Sequence, residues 1–235
     1  MMGLALGLGV GGSAGMSRPG PAQIFGSSIV FDFLWSNSTR VGSLVTALAD
    51  SGPSHLVASA SGAARPTYNA SGGGNAQGSV YFPASTRLNL VLGAAPTAPF
   101  TMLVVARSLV ASGATQYLYD FSGNSAIVFQ QVGGTAVQQY NGALGATGAI
   151  AVGSDFWVEA LFNGASSGLG INGGALTVAN AGATGVGTDF GLGNSNTLAS
   201  AWLGNCYEWI CVSGALSVSQ RAAMKAYAAA TFGTP

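Results

Sequence analysis

One stretch alone, from Ser217 to Gly233, repeats apolar residues at the spacing of a helix face, and this near-absence of helical periodicity narrows the possible folds most. Before it the chain is a succession of short apolar runs cut by Gly, Pro, Ser and Asn. Runs at 29–34, 79–82, 88–92, 100–108, 116–121, 126–132, 136–140, 156–162, 168–171, 176–179, 190–192 and 201–212 read as strands. The run Phe100-Thr101-Met102-Leu103-Val104-Val105-Ala106 is apolar on both parities, so it is expected to be a central strand covered on both faces. Asn172-Gly173 between two apolar runs predicts a type I′ hairpin, whose two central residues need positive φ. Ser217 with Gln220 three later predicts a capping box, Met224, Tyr227, Ala228 and Thr231 a buried helix face, and Gly233 its end.

A chain of 235 residues is long enough to bury about 70% of its unfolded surface, so neither a metal nor a disulfide is needed for stability. Seven Lys/Arg against seven Asp/Glu give no net charge and only 6% charged residues. No basic stripe for nucleic acid is present, and no apolar run approaches the ~20 residues that span a bilayer. So little charge implies a surface covered by neighbours or solvated by Ser, Thr, Asn and Gln. Cys206 and Cys211, five apart on one strand, are expected on opposite faces as buried thiols beyond disulfide reach, with intermolecular bridges left open. Residues 1–27 form a Gly/Ala/Ser/Pro-rich leader without a basic n-region, so no signal peptide is expected. Such a composition buries too little apolar area to order itself. It is expected to be an extended arm that docks on a neighbouring subunit through Leu4, Leu6, Leu8 and Val10, ahead of one domain at 28–235.

The closing stretch carries Gly204, Cys206, Glu208 and Ile210 on a strand, Ala215-Leu216-Ser217 in a turn and Ala226-Tyr227-Ala228 in the helix. Upstream lie Phe31-Asp32-Phe33-Leu34-Trp35, Leu48-Ala49-Asp50-Ser51-Gly52, Arg65-Pro66-Thr67-Tyr68, Val80-Tyr81-Phe82-Pro83, the run from Pro99 to Arg107, and Leu169-Gly170-Ile171-Asn172-Gly173-Gly174. In this order they resemble a laminin-G-like domain of the concanavalin A-like lectin/glucanase superfamily, over most of the chain. Pro83 where that pattern has Asp-Gly, and the absence of a Trp before Asp50, where Thr46-Ala47-Leu48 stands, are departures that remove polar loop chemistry. The resemblance implies an all-β, two-sheet antiparallel jelly-roll sandwich with one C-terminal helix.

Retaining glucanases of such folds place two carboxylates about 5 Å apart on one strand face. Here Glu159 and Glu208 have no acid within two residues, and Asp155 lies ~13 Å from Glu159 along an extended strand. No enzyme activity is expected. Glu208, inside an apolar run, reads as a carboxylate satisfied by backbone or by an arginine, the other reading being a buried acid with a raised pKa, and His55 reads as a solvated loop residue. No cofactor is required. Domains of the resembled kind sometimes hold Ca²⁺, for which Asp120 and Asp189 at strand ends are the candidates, though calcium takes 6 to 8 oxygens and acids are scarce here. Trp35, Tyr68 and Tyr140, near turns or strand ends, are candidate platforms for sugar rings, and Trp157, Trp202 and Trp209 candidate core.

Domains of this kind are frequent in tailed-bacteriophage structural proteins. The leading expectation is therefore a non-enzymatic virion component, a capsid decoration, minor head or tail protein. It would be assembled in the host cytoplasm, self-associate, plausibly as a trimer, and contact other virion proteins such as the major capsid protein. The alternative is a carbohydrate-binding module for surface glycans, with a role in host adsorption.

Overall fold

The computed structural model describes residues 19–111, 113–123, 125–131, 133–195 and 197–235. Leu4, Leu6, Leu8 and Val10 lie outside the described residues. A short helix α1 (Pro21–Phe25) leads into β1 (Ile29–Val41), β2 (Leu44–Asp50), β3 (Val57–Ser59), β4 (Thr67–Asn69), β5 (Ser79–Tyr81) and β6 (Leu88–Val91). Next come β7 (Phe100–Ser108), β8 (Gln116–Phe121), β9 (Ser125–Gln130), β10 (Ala136–Tyr140) and β11 (Leu144–Ala149). The chain closes with β12 (Asp155–Phe162), β13 (Gly168–Ile171), β14 (Thr177–Val178), β15 (Asp189–Leu192), β16 (Gly204–Ser213) and helix α2 (Val218–Phe232). No helix among the described residues is long and apolar enough to cross a membrane.

The strands pair antiparallel along one path, β11-β10-β9-β8-β15-β6-β3-β2-β4-β5-β16-β7-β12-β13-β14. The path folds back on itself, so inward side chains of its two halves meet in one core. Leu90, Leu118, Phe121, Val128 and Phe190 from one layer share a cluster with Val104, Phe156, Val158, Trp209 and Phe33 from the other. This is a β-sandwich. Its corner differs from two separate sheets: β1 pairs with both β16 and β2, and β2-β4-β5-β16 completes a closed ring of five strands. Closure leaves β1 no free edge over that stretch.

The β16-β7-β12 layer is covered on its other face as well. Leu103, Val105, Trp157, Tyr207 and Ile210 pack there against Met224, Ala228 and Phe232 of α2 and against Phe25 of α1. That second core explains why β7 is apolar on both parities. Both turn readings hold: Asn172 and Gly173 have φ of 53° and 74°, and Ser217 and Gln220 form a capping box with Gly233 left-handed beyond the helix.

Three differences have local causes. The stretch expected to be extended through residue 27 contains α1: Pro21 opens it, the Gly20 carbonyl accepts from Gln23 and Ile24 N–H, and burial of Phe25 holds it. The buried face of α2 is Met224, Ala228 and Phe232 rather than one ending at Thr231, because the Phe232 ring stacks on Tyr207 at 5.5 Å. Cys206 and Cys211 share one core instead of opposite faces, since a bulge between Cys206 and Glu208 inserts one residue and resets the alternation. Both are free thiols.

Candidate functional site

The carboxylates that sequence reasoning weighed for catalysis are engaged inside the structure. Arg221 of α2 donates from Nε and Nη2 to Glu159 of β12 at 2.6 and 2.7 Å. Arg107 of β7 forms the same two-pronged pair with Asp155 at 2.9 and 2.5 Å, and Tyr207 Oη and Gly74 N–H also donate to Asp155. Such paired charges tie the sheet to the helix and loop that cover it. Glu208 lies on the α2 side of β16, where Tyr227 Oη donates to it at 3.0 Å and Asp32 of β1 is its acidic neighbour. Burial, with the Asp32 charge added, holds the Glu208 carboxyl well above the usual range. Burial likewise pushes Asp32 up to about 7. None of the surface depressions described below is lined by these acids. The partners described for Glu159, Asp155 and Glu208 are groups of the protein itself. His55 is exposed on the loop after β2 and lines a shallow depression against α1.

The aromatic candidates separate into two places. Trp35 and Tyr68 stack on each other at 5.9 Å, Arg40 lies 3.8 Å over the Tyr68 ring, and Gly78 abuts the Trp35 ring so closely that a Cβ would sit 2.5 Å from it. Both residues are half-buried. Tyr140 stands elsewhere, on the outer face of β10. Trp157, Trp202 and Trp209 are fully buried.

Tyr140 belongs to a continuous outer face that the strand register assembles. It pairs with Ile127 of β9, and Asp120 of β8 lies alongside, between the Tyr119–Val128 and Phe121–Ser125 pairs. Asp120 pairs with Gly191 of β15, Gly191 with Asn89 of β6, and Asn89 with Ser59 of β3. One step along the strands, Tyr117 pairs with Phe129, their rings 5.7 Å apart. Period-2 alternation turns Val128, Val137 and Leu90 inward, and a register shift between Tyr117 and Tyr119 lets Leu118 and Tyr119 both face the core while Tyr117 and Asp120 stay in the outward row. Three depressions follow the row. Tyr117, Ile127, Phe129, Tyr140 and Leu144 line one of about 240 Å³. A second, about 360 Å³, includes Arg87, Asn89, Ser122 and Asp189, and a third, about 450 Å³, shares Arg87 and Asn89 and adds Ser59 and Ser61.

Tyr117 joins the aromatic and polar ends. Burial pushes its hydroxyl up, and both Asp120 and Tyr140 are close enough to add to that shift. Gly191 matters because it has no side chain: a Cβ there would meet Arg87 Cδ at 2.8 Å, so the Arg87 stem crosses the row at this point. Arg87 Nη1 donates to the Ser195 carbonyl at 3.1 Å. Partial burial draws the Arg87 pKa down, and the Asp120 and Asp189 charges act against that. The two aspartates named as calcium candidates thus flank a guanidinium. Among the described residues no three Asp, Glu, His or Cys side chains converge.

Arg87, Asn89, Tyr117 and Phe129 were not marked by sequence reasoning. The signal was present in Leu88-Asn89-Leu90-Val91, which alternates in and out, but only cross-strand register shows what Asn89 faces.

No family model matches the chain, and no curated protein matches it in sequence. Solved structures do. Trypanosoma rangeli sialidase superimposes with a TM-score of 0.61 at 12% identity, over 86% of this chain and 33% of its own. The receptor-binding domain of botulinum neurotoxin type G gives 0.58 at 10% identity, over 85% and 51%. Domain 4 of AbnA, a GH43 extracellular arabinanase from Geobacillus stearothermophilus solved in complex with arabinotriose, gives 0.57 at 15% identity, over 83% and 96%. This chain therefore spans about a third of the sialidase and nearly the whole of the arabinanase domain. At such identities the likeness shows the fold alone: a β-sandwich shared with parts of a sialidase, a toxin receptor-binding domain and an arabinanase domain.

Proposed function

We propose that this jelly-roll-like sandwich is a non-catalytic carbohydrate-binding module whose ligand lies on the outer face of β10, β9, β8, β15 and β6. The observation that carries the reading is the continuity of aromatic and polar groups on one face. Tyr140, Tyr117 and Phe129 line one depression, Arg87, Asn89 and Asp189 line another on the same face, and the buried Asp120 beside Gly191 lies in the row between them. A sugar presents an apolar C–H face and a rim of hydroxyls. Aromatic rings suit the first, and a row that accepts (Asp), donates (Arg) and does both (Asn) suits the second. The arabinanase domain solved with arabinotriose matches over nearly its full length, which supports a stand-alone binding role for such a body. Engagement of Glu159, Asp155 and Glu208 by protein partners supports binding without turnover.

The test is binding to an immobilised glycan array, followed by titration of the best ligand. Tyr140→Ala and Asn89→Ala should each weaken it about tenfold or more, equivalent to about 1.4 kcal/mol. Binding that survives both changes unaltered places the ligand elsewhere or nowhere.

Self-association within a larger particle is a second proposal. Composition supports it, with 6% charged residues, together with valines exposed at Val41, Val91, Val178 and Val218. Residence on a virion, with capsid or tail proteins as partners, extends that proposal. Sedimentation over a hundredfold concentration range checks it, and a monomer throughout counts against it.

A further inference from the structure

We infer that the outer-face groove takes an uncharged glycan chain several units long, laid across the strands, and rejects acidic glycans. The inference rests on the carbohydrate-binding reading and adds ligand charge and length to it. Length comes from the sheet. From Tyr140 to Asn89 the row crosses β10, β9, β8, β15 and β6, four interstrand gaps, or ~19 Å at the usual strand spacing. Ser59 of β3 extends it by one more gap. A single sugar ring covers only a fraction of this, and the depressions at the two ends differ in chemistry. One is built from Tyr140, Tyr117 and Phe129, the other from Arg87, Asn89 and Ser59. A chain that stacks one unit at the aromatic end and hydrogen-bonds others at the polar end uses both.

Charge comes from what surrounds Arg87. The lining residues carry one cation, Arg87, and one carboxylate, Asp189. A second carboxylate, Asp120, is fully buried in the same row. Recognition of a ligand carboxylate or sulfate by arginine depends on a guanidinium fork turned to the ligand. Arg87 instead donates to the Ser195 carbonyl and sits in the field of two aspartates. An acidic sugar placed on this floor meets the exposed Asp189 carboxylate, with the one lining cation already donating to a backbone carbonyl. Like-charge juxtaposition of that kind discriminates against a ligand without a new attractive contact for its rival.

The experiment uses the full chain on an array of neutral arabinose, xylose, glucose and galactose oligosaccharides of one to six units. Sialylated, uronic-acid and sulfated counterparts are printed beside them. Affinity should rise at least tenfold between one unit and four for the neutral series that binds, and each acidic counterpart should bind at least tenfold more weakly. Asp189→Lys, at an exposed strand end, should raise the signal of acidic glycans at least tenfold over the unaltered protein. Signal confined to acidic glycans, or equal affinity for one unit and four, overturns this inference while the carbohydrate-binding reading stands. No signal for any glycan, acidic or neutral, overturns both.

Discussion

Asp32 shows how a single buried group sets the pH response of the fold. Its carboxyl is packed among Asp50 of β2, Glu208 of β16 and Tyr227 of α2, and its own backbone N–H donates to Asp50 Oδ1 at 2.6 Å. Burial, with the Asp50 charge added and a hydrogen bond with Glu208 acting against them, raises its pKa to about 7. In the unfolded chain the same group titrates near its ordinary value of about 4. Between those values the folded protein holds a proton that the unfolded chain has released. Stability therefore falls as pH rises from about 4 to about 7, and levels off once the folded state has ionised. Glu208, raised in the same direction, extends the decline upward in pH. The melting temperature should drop between about pH 5 and about pH 8, and Asp32→Asn should flatten that drop and raise the value at the alkaline end. A melting temperature that climbs across the range contradicts this account. Trp35 makes the complementary point about site assignment. Packed on Tyr68 and against both cores, it should lose about 2 kcal/mol or more of stability as Trp35→Ala, measured by urea unfolding, with glycan binding unchanged.

At the scale of elements, α2 illustrates what pattern alone reveals and what it does not. Its start, stop and capping box follow from Ser217, Gln220 and Gly233, because those signals act within one turn of the chain. Its attachment to the sheet does not follow from local signals. Arg221, an ordinary first-turn cation in the sequence, reaches Glu159 on a strand that runs past it, and Glu159 is 1% exposed. Replacing Arg221 with Met leaves a buried carboxylate without its partner. It should cost about 3 kcal/mol or more by chemical denaturation, whereas the double change Glu159→Met with Arg221→Met should recover much of that loss. A double variant no better than the single one would mean that the pair contributes net stability. The same contrast runs through the strands. The long apolar runs β7, β12 and β16 were legible, as was the Asn172-Gly173 hairpin. Strands β2, β3, β4 and β11 were not expected, being short or rich in Ala, Gly, Ser and Thr, with weak alternation. The groove was legible only in part. Tyr140 and Asp120 stood out by type, but their union with Asn89 and Arg87 depends on the pairing of β8, β15 and β6, strands far apart in sequence.

For the molecule as a whole, the two cores predict two levels of opening. The β16-β7-β12 layer is shared, with the inter-sheet core on one side and the α1–α2 core on the other. Undocking α2 exposes Tyr207, Ile210 and Trp157, and leaves the core between the sheets closed. Cys206 and Cys211 both belong to that inner core, placed there together by the bulge in β16, and burial pushes both thiols up in pKa. A thiol reagent therefore reaches them only when the sheets separate. In native buffer both should label slowly and at one common rate. Dilute urea that loosens the helix in the Arg221→Met protein should raise proteolysis near α2 without speeding either thiol. Mass spectrometry of labelled peptides, timed against the unfolding rate, resolves the two events. Rapid labelling of one cysteine alone, or labelling that tracks loss of α2, would show that the bulge does not place both thiols between the sheets and that the two cores open as one.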